Sequence, residues 1–124
     1  MNSPSTDGIR EHVALMDISS VARGVMTVLG PALVGALTGT GDRALPGQWT
    51  RPYGAEPGAA AAERLRNALV QWLRLCAVED ADLARAWILG TNPLLDGGTA
   101  ISALREDRFE QLDAAVTHFV DGLG

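Results

Sequence analysis

His12, His118 and Cys76 are the side chains best suited to bind a metal or serve as a nucleophile, and their spacing supports neither role. The histidines lie far apart and neither sits near the cysteine, so the i, i+4 His pairs and Cys-X-X-Cys steps that hold zinc are absent. There is no Gly-X-Ser-X-Gly elbow and no glycine-rich phosphate loop ending in Lys. Glu79, Asp80 and Asp82 cluster closely enough for acid–base or metal chemistry. At a junction between two helices, however, capping plus solvation is the simpler reading. Cys76 falls on the apolar stripe of a predicted helix and reads as a buried structural thiol. The residues therefore predict no enzyme, no metal site and no cofactor.

The remaining chemistry belongs to arginine, since the chain has no lysine. Arg43, Gln48 and Arg51 are the residues able to reach phosphates or base edges. They follow two predicted helices, Pro31–Thr38 and Arg43–Trp49, whose spacing across a Gly39-Thr40-Gly41 turn is that of a helix-turn-helix. A plain helical hairpin with Trp49 in the core fits the same residues. With Asp42 as cap, Pro46 would fall at the fourth helical position, where its missing N–H interrupts the ladder. The second helix is then distorted or barely one turn long. Net charge is −5, with four Arg against five acids in residues 1–58 and six Arg against ten acids in residues 59–124. Neither half is the basic surface of a strong nucleic-acid binder.

The elements that would position these residues are all helical. Residues 1–7 are expected to be a flexible tail, and Asp7 to cap a helix from Gly8 to about Met16 with Ile9, Val13 and Met16 on one face. Asp17 or Ser19 starts a helix with Ile18, Val21, Ala22, Val25 and Leu29 in phase, stopped by Gly30-Pro31, where Pro31 opens the next helix. Residues 50–58 are a loop by composition. The helix from Ala59 to about Val78 carries Leu65, Ala68, Leu69, Trp72, Leu73 and Cys76 as its apolar stripe, with Glu63, Arg66, Asn67 and Arg74 on the remainder. Asp80 caps a helix ending at Leu89-Gly90, Thr99 caps a short one to Arg105, and Asp107 with Glu110 has capping-box spacing for a last helix burying Phe109, Leu112, Val116 and Phe119. No strand pattern occurs. The predicted fold is all-α: a helix-turn-helix-like lobe over residues 8–58 packed with a C-terminal helical lobe over 59–124. Arg, Asp or Gly-Pro interrupts every apolar run short of membrane-spanning length, and the first residues lack a basic-then-apolar leader. With a single cysteine, the expected location is cytoplasmic.

One stretch combines unusual order with no catalytic residue. From Trp87 the chain runs through Asn92-Pro93, Leu95 and Gly97-Gly98, then a short helix through Leu104, then Asp107-Arg108-Phe109-Glu110 into a helix reaching Gly122. This segment resembles the C-terminal toxin-binding domain of Xre/MbcA/ParS-type antitoxins, and the upstream helices look like the matching Xre-like domain. Together the resemblance covers about residues 18–122.

The resemblance implies an antitoxin of a type II toxin–antitoxin pair. It implies a cognate toxin of RES fold that destroys NAD⁺, covered at its active site by the C-terminal domain. It also implies a homodimer that represses its own operator through the N-terminal domain. On this chain, toxin contacts are implied at Trp87, Asn92, Pro93, Leu95, Phe119, Gly122, Leu123 and Gly124. Beyond the resemblance, the terminal carboxylate is expected to engage a cationic NAD-phosphate site. DNA contacts are implied at Arg43, Gln48 and Arg51. The alternative is a DNA-binding regulator or a helical adaptor with no toxin partner.

Overall fold

The computed structural model describes residues 5–123, with nothing said of the side chain of Leu123. Within them the fold is all-α, with no strand. Seven helices follow in order: α1 (Thr6–Leu15), α2 (Ile18–Thr38), α3 (Leu45–Trp49), α4 (Ala59–Cys76), α5 (Ala81–Leu89), α6 (Ala100–Arg105) and α7 (Phe109–Leu123). A single 3₁₀ turn, Pro93–Leu95, lies between α5 and α6.

Local chemistry sets most of the helix ends. Ser5 rather than Asp7 caps α1, its Oγ accepting from Gly8 N at 3.0 Å, so Thr6 and Asp7 lie inside the helix instead of in a tail. Asp17 caps α2 through Ser20 N. Gly30 then leaves helical geometry at φ 83°, ψ 168°, a region open to glycine alone among the common residues. Pro31 restarts the helix at the position where its absent N–H is not needed. Gly39, at φ 79°, closes α2 with a left-handed cap.

The third helix differs from its sequence expectation. Asp42 makes a turn instead of a helical cap, accepting from Ala44 N at 2.9 Å, and α3 begins only at Leu45. The later start moves Pro46 into the first two helical positions, where no intrahelical donor is lost. Five residues, about one turn, are all that remain.

The buried side chains form one cluster with α4 at its centre. Leu65, Ala68, Leu69 and Leu75 of α4 meet Ile9 and Val13 from α1, Val21, Val25, Leu29, Val34 and Leu37 from α2, and Leu112, Ala115 and Val116 from α7. Trp49 closes the cluster beside α2. By length and composition α2 is apolar enough to cross a membrane, a test the expected Gly-Pro interruption does not prevent it from passing. Here its apolar side is part of the core, packed on α4, α3 and α6.

In its second half α4 buries a different side from the expected stripe: Val70, Gln71, Arg74 and Leu75 are buried, whereas Trp72, Leu73 and Cys76 are half-buried. Arg74, expected on the solvent face, is only 6% exposed, beside buried Gln71. It donates to Gln71 Oε1 (3.0 Å), Asp113 Oδ1 (2.9 Å) and Thr117 Oγ1 (2.7 Å). Asp113 also accepts from Gln71 Nε2 at 2.9 Å and pairs with Arg10 of α1. One carboxylate thus ties α1, α4 and α7 together, and the buried guanidinium has its charge matched. Cys76 is half-buried, and desolvation raises its thiol pKa, so thiolate character is suppressed.

Candidate functional site

The stretch from α5 to α7 is built around a self-closed loop. Asn92 is its organising residue. Its side chain accepts from Leu94 N (2.8 Å), its carbonyl from Leu95 N (2.9 Å) and Gly97 N (3.1 Å), and its own N–H donates to Gly98 O (2.9 Å). Asp96 N donates to Pro93 O and Gly98 N to Leu95 O. Asp96 and Gly97 take left-handed φ values of 57° and 78°, which reverses the chain. Gly98 is required by contact instead. A Cβ there would lie 2.8 Å from Ser102 Oγ and 3.2 Å from Leu95 O. Ser102 cannot easily yield, because its Oγ accepts from Thr99 N in the capping box that starts α6.

The loop is fastened to α7 from outside. Gln111 Nε2 donates to Leu94 O (3.0 Å) and Asp96 Oδ2 (3.1 Å), while its Oε1 accepts from Arg108 Nη1 (3.0 Å). Arg108 also faces Asp96 Oδ2 at 3.5 Å. Its Nε lies 3.0 Å from Glu106 Oε1 but off the hydrogen-bonding line, the one buried side-chain polar atom without a hydrogen bond among the described residues. Asp107, read from spacing as the cap of α7, instead sits at φ 60° and gives both carboxylate oxygens to Arg64 (2.9 and 3.2 Å). Arg64 donates from its third nitrogen, Nη1, to Thr38 O (2.7 Å), which joins the end of α2 to the α6–α7 corner. This pairing lowers the Asp107 pKa and raises that of Arg64.

Of the residues implied as toxin contacts, Trp87 and Phe119 are brought together, ring centroids 5.9 Å apart and tilted by 45°. Both are half-buried against the core, a geometry in which aromatic pairs add about 1 kcal/mol beyond burial. Asn92 is half-buried and Pro93 exposed. Leu95 is 1% exposed, so its side chain pins the loop to the core and cannot reach a partner while the loop is folded. The outward leucine is its neighbour Leu94, 46% exposed. Gly122 is exposed at the end of α7, whereas Gly124 lies outside the described residues.

Sequence pattern also missed the outer side of α5. Leu83 and Leu89 are exposed, and with Ala86 they stand at steps of three, within an arc of about 120° on a helix turning about 100° per residue. Ala84 and Ile88 hold the opposite side in the core. Helical phase predicted one apolar side for α5. The second was visible only as an excess of leucine over what one buried stripe needs.

The residues expected to face DNA are dispersed. Arg43 is exposed on the rim of a groove of about 670 Å³ floored by Ala32, Gly35, Ala36 and Pro46, with Arg105 across it. Arg51 lines a different, smaller cleft with Asp17, Trp49 and Glu56, and Gln48 is half-buried between them in sequence. Among the described residues no group of three or more His, Cys, Asp or Glu side chains could hold a metal ion. Compared with protein-family models, curated proteins and solved structures, the chain matches none of them.

Proposed function

We propose that the chain is a binding module: the antitoxin of a type II pair, neutralising a RES-type, NAD-degrading toxin by covering its active site with the α5–α7 face. The observation that carries the reading is the coincidence of exposed leucines with a rigid loop. Leu83, Leu89 and Leu94 stand out to solvent within twelve residues, on a helix and a loop whose backbones are already ordered. Single exposed leucines need no explanation, but three on one short, stiff segment favour recognition of an apolar partner surface. A stiff platform also loses little conformational entropy on docking. The loose Xre/MbcA/ParS pattern falls on this same segment, which is why an antitoxin is proposed over an adaptor of unspecified partner.

The proposal assigns no operator contact. A five-residue α3 offers about one turn to a major groove, and Arg51 shares its cleft with Asp17 and Glu56, whose carboxylates oppose a phosphate. The test is co-expression with a RES-domain protein encoded beside this chain. Recovery of a stable complex from cells that keep growing and keep their NAD⁺ is the expected outcome. Recovery of the chain alone, from cells that lose NAD⁺, overturns the reading.

A further inference from the structure

We propose that the Asn92–Gly98 loop is a preformed knob: Leu94 enters an apolar socket on the enzyme partner, Asp96 meets a cation on the socket's rim, and Gln111 is the positioning residue that holds the knob. This rests on the reading of the chain as an enzyme-covering antitoxin. The loop's backbone is the first argument. From Asn92 to Gly98 every residue with an N–H donates it within the loop, so no backbone donor must be reorganised or stripped of water when a partner arrives. The division of labour between the two leucines is the second. Leu95 at 1% exposure roots the loop in the core, which forces Leu94 outward at 46%. An aliphatic side chain raised on a rigid backbone is the form an interface anchor takes.

The charge beside it specifies the partner's chemistry. Asp96 is 81% exposed in its side chain. Its Oδ2 accepts from Gln111 and faces Arg108 at 3.5 Å, while among the described residues its Oδ1 accepts no hydrogen bond and makes no ion pair. A carboxylate half-satisfied in this way, next to an exposed leucine, is complementary to an apolar depression edged by Arg or Lys. Gln111 supplies the geometry from α7, since one side-chain amide ties both Leu94 O and Asp96 to the helix.

The experiment titrates the purified neighbouring RES-domain protein with the wild-type chain and with Leu94→Ala, Asp96→Asn and Gln111→Ala, alongside amide exchange and melting of each chain alone. Truncating an anchor is expected to weaken binding about tenfold or more for Leu94→Ala. Asp96→Asn is expected to weaken binding several-fold and flatten its salt dependence. Gln111→Ala should lower the melting temperature by only a few degrees, speed exchange selectively at residues 94–98, and weaken binding in step with that loss of protection. Wild-type chain that binds while Leu94→Ala binds equally well overturns the knob alone. Wild-type chain that does not bind overturns the antitoxin reading and the knob with it.

Discussion

Removing the Asp113 carboxylate is the sharpest perturbation of this fold, because it strands a charge. Arg74 sits 6% exposed, and among the described residues Asp113 Oδ1 is its only anionic partner, at 2.9 Å. Breaking a buried pair by deleting one partner costs about 3–5 kcal/mol. The Asp113 side chain is 31% exposed, so water can partly replace it, and the lower end, about 3 kcal/mol, applies. Gln71 Nε2 loses its acceptor in the same variant. For a domain of this size the loss corresponds to roughly 10 °C in Tm. Arg74→Met removes the charge but keeps most of the stem's packing, and leaves Asp113 with Arg10, Gln71 and solvent, at a cost of about 1 kcal/mol. The double variant has no stranded charge. It is therefore expected to be more stable than Asp113→Ala alone, with a coupling of about 2 kcal/mol. Urea unfolding followed by tryptophan fluorescence on the three variants measures this. A double variant no more stable than Asp113→Ala, or an Asp113→Ala loss below about 1 kcal/mol, would refute the reasoning.

Other consequences concern single positions. Gly30→Ala places an L-residue at φ 83°, with open space around the new Cβ, so the cost is backbone strain alone, about 1–3 kcal/mol by thermal unfolding. Gly98→Ala forces Ser102 Oγ out of its capping box and is expected to cost about 1–2 kcal/mol, with faster amide exchange around residues 92–102 than elsewhere. Hydrogen bonds from Ser19 and Ser20 lower the Asp17 pKa from 3.8 to about 2. A folded-state pKa below the unfolded one gives stability that is complete above pH 3.8 and disappears as pH falls through about 2. Asp17→Asn should therefore flatten the acid limb of a stability–pH curve across that window.

What the sequence made legible was local. Asp17, Asp80 and Thr99 cap the helices they were expected to cap, because each carboxylate or hydroxyl reaches an amide three residues on. The apolar phase of α7 put Leu112 and Val116 in the core, because residues four apart share one face of a helix. What failed depended on distant partners. Arg74 reads as a surface residue until Asp113, thirty-nine positions later, supplies its counter-charge. Asp107 has capping spacing, but Arg64, forty-three positions earlier, claims the carboxylate. At the candidate site, Leu94 and Leu95 are equivalent in a turn without period, and the choice between them is made by loop closure on Asn92 and by Gln111. Arg43 and Arg51 look adjacent in a helix-turn-helix frame, whereas in the structure they line different clefts on either side of a five-residue α3.

The central question is whether the α5–α7 face silences an enzyme. Purified chain titrated into the proposed RES-type toxin, with NAD⁺ consumption as readout, is the decisive measurement. The expected result is inhibition that reaches completion at a fixed stoichiometry and is weakened by Leu89→Asp, a substitution at an exposed position whose folding is checked by circular dichroism and melting. Undiminished NAD⁺ consumption in the presence of a large molar excess of correctly folded wild-type chain would contradict it.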